Sequence, residues 1–311
     1  MKNNKTTLLR RITLEEAQKA VRSMNLINGF LFDSVMEDNE RAKTVAGIIL
    51  STVLGQEISD IEVTPQKTFL GIDWGLHGIR FDAQIKPVPE SSDLSVTIYD
   101  LEIEDRESDR LSLPRRQRYY SALSDERTLP SSTDYRELPD YVSVTILSYD
   151  PFLAGDMYYA AKMHLKTHPH IEYEDGRLNI FLYAYGNNNV ITDDQSYGKD
   201  LEEMLKYIVD GTLPSDHNER VISLDNIVSE VKNRSEVSSH YMKAWDREIV
   251  MKREWQAEVR AKALKEDAEK FVSYAVKHND SPDSIKEELM ENYDYSEGEA
   301  DALITSKMAA K

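Results

Sequence analysis

Four carboxylates in two strand-like segments are the residues of this sequence best suited to metal chemistry. Asp82 lies in the segment IRFDAQI, and Asp100, Glu102 and Glu104 lie in the segment LSVTIYDLEIE. Side chains alternate along a strand, so the last three share one face. If the two strands pair as a hairpin, Asp82 can lie opposite this group. Like charges placed together repel one another, and an Mg²⁺ or Mn²⁺ ion, which prefers oxygen ligands, would relieve that repulsion.

A basic cluster follows the second of these segments. Its members are Arg110, Arg115, Arg116 and Arg118, and no acidic residue lies between the first and the last of them. Arginine forks bind phosphate, and two tyrosines directly after the cluster offer aromatic faces to a nucleic acid. The alternative is that some of these arginines neutralise the carboxylates while the tyrosines pack on a sheet. The sequence leaves both interpretations open.

Hydrophobic periodicity predicts the elements that carry these residues. Asn28–Leu54 has apolar residues at helical spacings and predicts one or two helices, with a break near residue 38 and an end at Gly55. Pro114 opens a further predicted helix. The predicted strands are Ile58–Val63, Ile79–Ile85, Leu94–Glu104, Tyr141–Tyr149 and Leu178–Tyr185. The order helix, strand, strand, strand, helix, strand indicates an α/β domain with a mixed central sheet.

The chain becomes helical after Lys199, which predicts three regions: an N-terminal arm or helix over 1–27, an α/β domain over 28–198 and a helical region over 199–311. In Ser235–Lys277 charges of both signs alternate, a pattern typical of a solvated helix. Ser281–Lys307 predicts a small pair of helices. Self-association of the chain through these C-terminal helices is compatible with the mixed charges but not required by them.

Composition limits the classes of function. The net charge is −18, with 56 acidic against 38 basic residues, which counts against DNA binding unless the basic residues are concentrated locally. Cysteine is absent, which excludes disulfides, thiolate catalysis and zinc-finger ligation. The basic start lacks an apolar signal core, and no apolar run reaches the roughly 18 residues of a membrane span. We therefore expect a cytoplasmic protein without membrane insertion.

Four segments together resemble the PD-(D/E)XK nuclease family transposases, which are relatives of bacterial recombination-promoting nucleases. The segments are GIRFD, YDLEIE, LPRRQRYY and YVSVTILSYDPF, and the resemblance runs from about Asn28 to Gly186. It implies a nuclease-like αβββαβ core followed by a helical C-terminal region. It also implies that Asp82 on the second strand and Glu102 on the third bind a catalytic Mg²⁺ or Mn²⁺ ion.

The resemblance further implies an acidic residue from the opening helix. Glu37 is the candidate for this catalytic position, and Asp33 and Glu40 are the alternatives. Two residues after the strand glutamate the family has Lys or often Gln, whereas this chain has Glu104. Loss of one such charge-stabilising donor typically costs about 2.7–4 kcal/mol in the transition state. Two alternatives follow. Either Glu104 acts as an additional metal ligand or base, or the site binds metal weakly and has little DNA-cleaving activity.

Two functions follow from the resemblance and from this departure. The first is a metal-dependent DNA endonuclease of the recombination or transposase-associated type, for which DNA is the expected partner. The second is a non-catalytic protein that keeps the nuclease fold and acts as a binding or assembly module through its helical tail. If Glu104 only disarms the first of these, replacing it by Gln or Lys is expected to raise cleavage.

Overall fold

The chain folds into two compact units of helices and strands. The structure, a computed structural model, describes residues 10–59, 61–65, 68–69, 79–80, 83–87, 97–129, 131–188, 190 and 195–309. The helices are α1 (Leu14–Ser23), α2 (Gly29–Met36), α3 (Asn39–Leu54), α4 (Leu113–Thr128), α5 (Gln195–Asp210), α6 (Glu219–Lys232), α7 (Ser235–Lys277), α8 (Pro282–Asn292) and α9 (Glu297–Ala309). The strands are β1 (Ile61–Pro65), β2 (Thr68–Phe69), β3 (Ile79–Arg80), β4 (Ala83–Pro87), β5 (Thr97–Glu104), β6 (Asp140–Leu147), β7 (Tyr158–Ala161) and β8 (Arg177–Tyr183). One unit is Leu14–Tyr241, and the other contains residues 10–13 and 242–309.

A six-stranded mixed sheet lies at the centre of the first unit, in the order β1-β4-β5-β6-β8-β7. The strands β1, β4 and β5 are antiparallel neighbours, β5, β6 and β8 are parallel neighbours, and β7 is antiparallel to β8. Parallel neighbours need a crossover connection, and α4 lies in the one between β5 and β6. The predicted α/β architecture with a mixed central sheet is therefore confirmed.

The opening helices begin and end where the local sequence supplies caps. The Asn28 side chain accepts hydrogen bonds from two backbone N–H groups of α2, at 3.1 and 3.3 Å. Asp38 accepts one from the backbone N–H of Arg41 in α3, at 2.9 Å. After α3, Gly55 has a φ of 65°, a left-handed conformation that glycine adopts without a Cβ clash. The predicted break near residue 38 and the predicted end at Gly55 are confirmed.

The apolar face of the sheet is covered by helices that precede the sheet in the sequence and by helices that follow it. Leu101, Val144 and Ile180, from three neighbouring strands, are buried in one cluster with residues of α2, α3, α5 and α6. On α5, Leu201 and Leu205 lie four residues apart and both join this cluster, as expected for the apolar stripe of a helix. The first unit therefore includes α1, α5 and α6 together with the sheet.

The strand bounds differ from expectation near the start of the sheet. The predicted strand Ile79–Ile85 corresponds to two strands, since β3 pairs with β2 while β4 pairs with β1 and β5. Residues 81 and 82 between them, which include Asp82, lie outside the described residues. The first strand is expected to begin at Ile58, whereas β1 begins at Ile61. The backbone N–H of Ile58 instead donates to Ser51 Oγ of α3 at 2.8 Å.

The second unit is helical and has its own core. Val272 of α7, Leu289 of α8 and Ile304 of α9 are buried together in it. The predicted helix pair within Ser281–Lys307 is confirmed as α8 and α9, and residues 251–263 of α7 are all exposed, as predicted for a solvated helix. In the described part of the chain, no helix combines the length and the apolar character needed to cross a membrane.

We expect Asn28→Ala to lower the free energy of unfolding by about 1 kcal/mol, because α2 loses the acceptor for two N–H groups of its first turn. Urea unfolding followed by circular dichroism measures this change. Asn28→Asp retains an acceptor and is the matched control. An Ala variant as stable as the parent protein would show that this cap does not contribute.

Candidate functional site

The second face of the sheet is polar where α4 packs on it. Asp100, Glu102 and Glu104 of β5 are 0%, 5% and 5% exposed. They alternate along the strand with Leu101 and Ile103, which pack in the apolar cluster on the opposite face. The prediction that these three carboxylates share a face is therefore confirmed, and that face is the one that α4 covers.

The helix α4 presents a largely polar stripe to the sheet. Leu113, Gln117, Ser121 and Ser124 recur every three or four residues and are all buried. A surface helix normally buries an apolar stripe. Here three of the four stripe residues are polar, and the stripe forms hydrogen bonds such as the one from Gln84 Nε2 of β4 to Ser124 Oγ at 3.3 Å.

Gln117 holds Glu102 in place. Its Nε2 donates to Glu102 Oε2 at 3.0 Å and to Thr145 Oγ1 of β6 at 3.1 Å. It is 1% exposed. The sequence-based prediction of site residues did not include Gln117. The signal that could have identified it is its place on the stripe, four residues after Leu113.

Glu104 forms an ion pair with the helix. Arg116 Nη1 lies 2.8 Å from Glu104 Oε2, and Arg116 Nη2 lies 4.0 Å from Glu102 Oε2. The other oxygen of Glu104 accepts the backbone N–H of Arg106 at 2.9 Å. Burial disfavours the charge of Arg116, but the two carboxylates outweigh burial and raise its pKa above the ordinary value. Arg116 therefore neutralises the carboxylates, as one of the two interpretations of the basic cluster expected.

Asp100 is held by a buried tyrosine. Tyr141 of β6 donates its hydroxyl hydrogen to Asp100 Oδ2 at 2.9 Å. Burial and the neighbouring carboxylate raise the pKa of Tyr141 well above its ordinary value, so the hydroxyl stays protonated. In the pairing of β4 with β5, Gln84 lies opposite Asp100.

Three buried polar atoms near Glu102 and Glu104 have no hydrogen-bond partner within the described ranges. They are Gln117 Oε1, Arg116 Nε and Tyr149 OH. Burial and the charge of Glu104 raise the pKa of Tyr149 to about 12, so its hydroxyl is a donor. Each unsatisfied buried group costs about 1–3 kcal/mol, and such groups call for a specific explanation. One acceptor and two donors together can be satisfied by a hydrated cation beside an anionic group.

The oxygen donors fit a hard divalent cation. Glu102 supplies a carboxylate, and Gln117 Oε1 supplies an amide oxygen beside it. Mg²⁺ is often held by one or two carboxylates, with water and substrate phosphate completing its coordination. Among the residues that the structure describes, no group of three or more His, Asp or Glu is arranged to hold a metal. Asp82, the other predicted ligand, is not among them.

The acidic candidates of the opening helices lie apart from this group. Glu37 is exposed after the end of α2, and no hydrogen bond or ion pair in the described chain joins it to Glu102. Glu40 is also exposed and pairs with Lys43 at 2.9 Å. Both belong to helices that pack on the apolar face of the sheet, so the structure does not bring them together with Glu102. Asp33 of α2 is partly buried.

The remaining basic candidates lie on or just before α4. Arg115 and Arg118 are exposed and form no ion pair with any residue that the structure describes. Arg110 is partly buried and lies three residues before α4 begins. The structure thus turns Arg116 towards the carboxylates and leaves Arg115 and Arg118 exposed, while Arg110 is partly buried before the start of α4.

Comparisons with known proteins gave no match. No family model, no curated protein and no solved structure matches the chain. The support for a function therefore comes from the sequence and from the geometry of this site.

We expect the protein to lose stability as the pH rises above about 10, and Tyr141→Phe to reduce that loss. A folded-state pKa above the unfolded value means that the folded state retains a proton that the unfolded state releases, so the stability is present below the unfolded pKa and lost above it. The loss per tyrosine approaches about 1.4 kcal/mol per pH unit. Urea unfolding at pH 8 and pH 11 measures the slope.

At pH 8 the same variant is expected to be less stable by about 1–3 kcal/mol, because Asp100 loses its hydroxyl donor. Tyr135→Phe, at a tyrosine that is 86% exposed, is the control and should change neither quantity. Equal pH slopes for Tyr141→Phe and the parent protein would contradict the prediction.

Proposed function

We propose that this chain is a metal-dependent DNA endonuclease-like protein of the recombination or transposase-associated type, with a PD-(D/E)XK-like core. In this proposal Asp82 and Glu102 hold Mg²⁺ or Mn²⁺. One observation carries it: Glu102 is buried beneath the crossover helix and held by Gln117, beside polar atoms that lack partners among the described residues. The order α3, β1, β4, β5, α4, β6 is compatible with the αβββαβ core that the resemblance implies. The role of Asp82 as a metal ligand is inferred from the sequence alone.

The reaction would be hydrolysis of a phosphodiester. A bound divalent cation would activate water and neutralise charge on the phosphate. Within the chain, Glu102 supplies a carboxylate whose position Gln117 maintains. The water oxygen forms a bond to phosphorus while the bond from phosphorus to the departing sugar oxygen breaks. That sugar oxygen receives one proton of the water, and the other proton stays with the new phosphate monoester.

The surface beside the site is suited to the DNA backbone. Arg115 and Arg118 lie exposed in the first two turns of α4, whose N-terminal end carries a partial positive charge. Phosphate contacts of this kind position a duplex without reading its sequence. The two residues concentrate positive charge locally in a chain of net charge −18.

A second candidate is the non-catalytic module with the same fold. Two features favour it: Glu104 stands where the resemblance expects Lys or Gln, and the net charge of the chain is acidic. In this case the polar layer under α4 would only maintain the structure. The helical C-terminal region would then bind the partner molecule.

Incubation of plasmid DNA with Mg²⁺ or Mn²⁺ is expected to give cleavage, and Glu102→Gln is expected to slow it about 10²–10³-fold. Asp82→Ala should act in the same direction. Calorimetry with Mn²⁺ is expected to show weaker binding in both variants. Glu62→Gln removes an exposed carboxylate of β1 and is the control. A parent protein that neither cleaves DNA nor binds Mn²⁺ at millimolar concentration would favour the non-catalytic module.

Arg115→Ala combined with Arg118→Ala is expected to weaken DNA binding and to flatten its dependence on salt. Each lost phosphate contact lowers the slope of log K against log salt by about 0.9. Fluorescence anisotropy with a short labelled duplex at several KCl concentrations measures the slope. Arg127→Ala, near the other end of α4, is the control. An unchanged slope would argue against this surface.

A further inference from the structure

The positive charge that the resemblance expects on the strand is present on the helix instead. Position 104 carries Glu where Lys or Gln is expected, and Arg116 Nη1 lies 2.8 Å from Glu104 Oε2. Glu104 Oε1 accepts the backbone N–H of Arg106 at 2.9 Å. Because both oxygens have donors from the chain, Glu104 is better suited to holding Arg116 than to coordinating a metal.

The guanidinium of Arg116 keeps donor capacity that no described residue uses. Nη1 serves Glu104, and Nη2 lies 4.0 Å from Glu102 Oε2. Nε is buried and has no hydrogen-bond partner among the residues described. A guanidinium presents its donors as a planar fork that suits a phosphate oxygen. Its place next to Glu102 puts this fork beside the proposed metal ligand.

Tyr149 is a second candidate donor, and it lies two residues after Leu147, the partner of Glu104 in the sheet. It follows β6, is 7% exposed and has a buried hydroxyl without a partner in the described chain. Tyr149 also packs with Leu113 of α4, which lies three residues before Arg116. Arg116 and Tyr149 thus offer two buried donors for one anion.

We propose that Arg116, with Tyr149 as a second donor, contacts the phosphate that is cleaved and stabilises the charge that develops on it, and that Glu104 is a positioning residue for Arg116. This inference rests on the proposed function, since it assigns the group that binds the substrate phosphate at that site. It also changes the expectation for Glu104. Replacing Glu104 alone removes the charged partner of Arg116, so Glu104→Gln is expected to lower cleavage rather than raise it.

The competing explanation is that Glu104 and Arg116 form a purely structural ion pair. Two double variants distinguish this explanation from the proposed phosphate contact. Glu104→Gln with Arg116→Met removes both charges, so neither residue is left as a lone buried charge. Glu104→Lys with Arg116→Met also removes the pair but returns a cation to the strand. Both are tested in the full chain, with urea unfolding to show that they fold. Glu62→Lys adds the same charge at an exposed position of β1 and measures its general effect on DNA binding.

The Gln/Met variant is expected to cleave plasmid DNA about 10²–10³-fold more slowly than the parent protein. Its affinity for Mn²⁺, measured by calorimetry, should change by less than about threefold, because the carboxylate of Glu102 remains. The Lys/Met variant should recover part of the lost cleavage. Tyr149→Phe should slow cleavage by about tenfold, the value of one hydrogen bond. Equal cleavage by the two double variants, or parental cleavage by the Gln/Met variant, would overturn the inference.

Binding of a short DNA duplex in EDTA tests the inference without hydrolysis. The Gln/Met variant should bind about tenfold more weakly than the parent protein, as expected for the loss of one charged hydrogen bond. The Lys/Met variant should bind DNA more tightly than the Gln/Met variant. This gain in affinity should exceed the gain that Glu62→Lys produces in the parent protein. Equal affinities would overturn the role of Arg116. Absence of cleavage together with this loss of binding would reject the proposed hydrolysis but keep the phosphate contact.

Discussion

The burial of three carboxylates from one strand is the constraint on which the rest of this site depends. An ionised carboxylate without a partner is very costly to remove from water. Asp100 is held by Tyr141, Glu102 by Gln117, and Glu104 by an arginine of α4. The crossover helix therefore has to carry polar residues on the side that normally supplies apolar packing.

The two faces of the sheet are stabilised by different kinds of interaction. One face packs against α2, α3, α5 and α6 in a large apolar cluster, whose burial supplies non-directional stabilisation. The other face packs against α4 through two small apolar clusters and, between them, through hydrogen bonds and an ion pair, which depend on geometry. Stability from the first face allows the second to keep buried polar atoms such as Gln117 Oε1 without a partner among the described residues. Functional sites commonly depart from packing rules in this way.

The sequence predicts the features that local interactions determine. Asn28, Asp38 and Gly55 mark helix limits because caps and a left-handed turn act within a few residues. The shared face of the strand carboxylates follows from alternation alone. In contrast, Arg115 and Arg116 are equivalent in a sequence, and only the rotation of α4 about its axis turns one to solvent and the other to Glu104. That rotation depends on packing between segments that are distant in the sequence. Hydrophobic periodicity does not predict the rotation when the buried stripe of the helix is polar.

The long helix α7 (Ser235–Lys277) spans about 65 Å at 1.5 Å per residue. Its residues 251–263 are all exposed, so this stretch depends on intrinsic helix propensity and on pairs such as Glu248 with Lys252. Exposed pairs of this type contribute only about 0.3–0.5 kcal/mol each. The middle of α7 is therefore governed by a helix–coil equilibrium, and its amide hydrogens exchange with solvent through local opening long before the sheet unfolds.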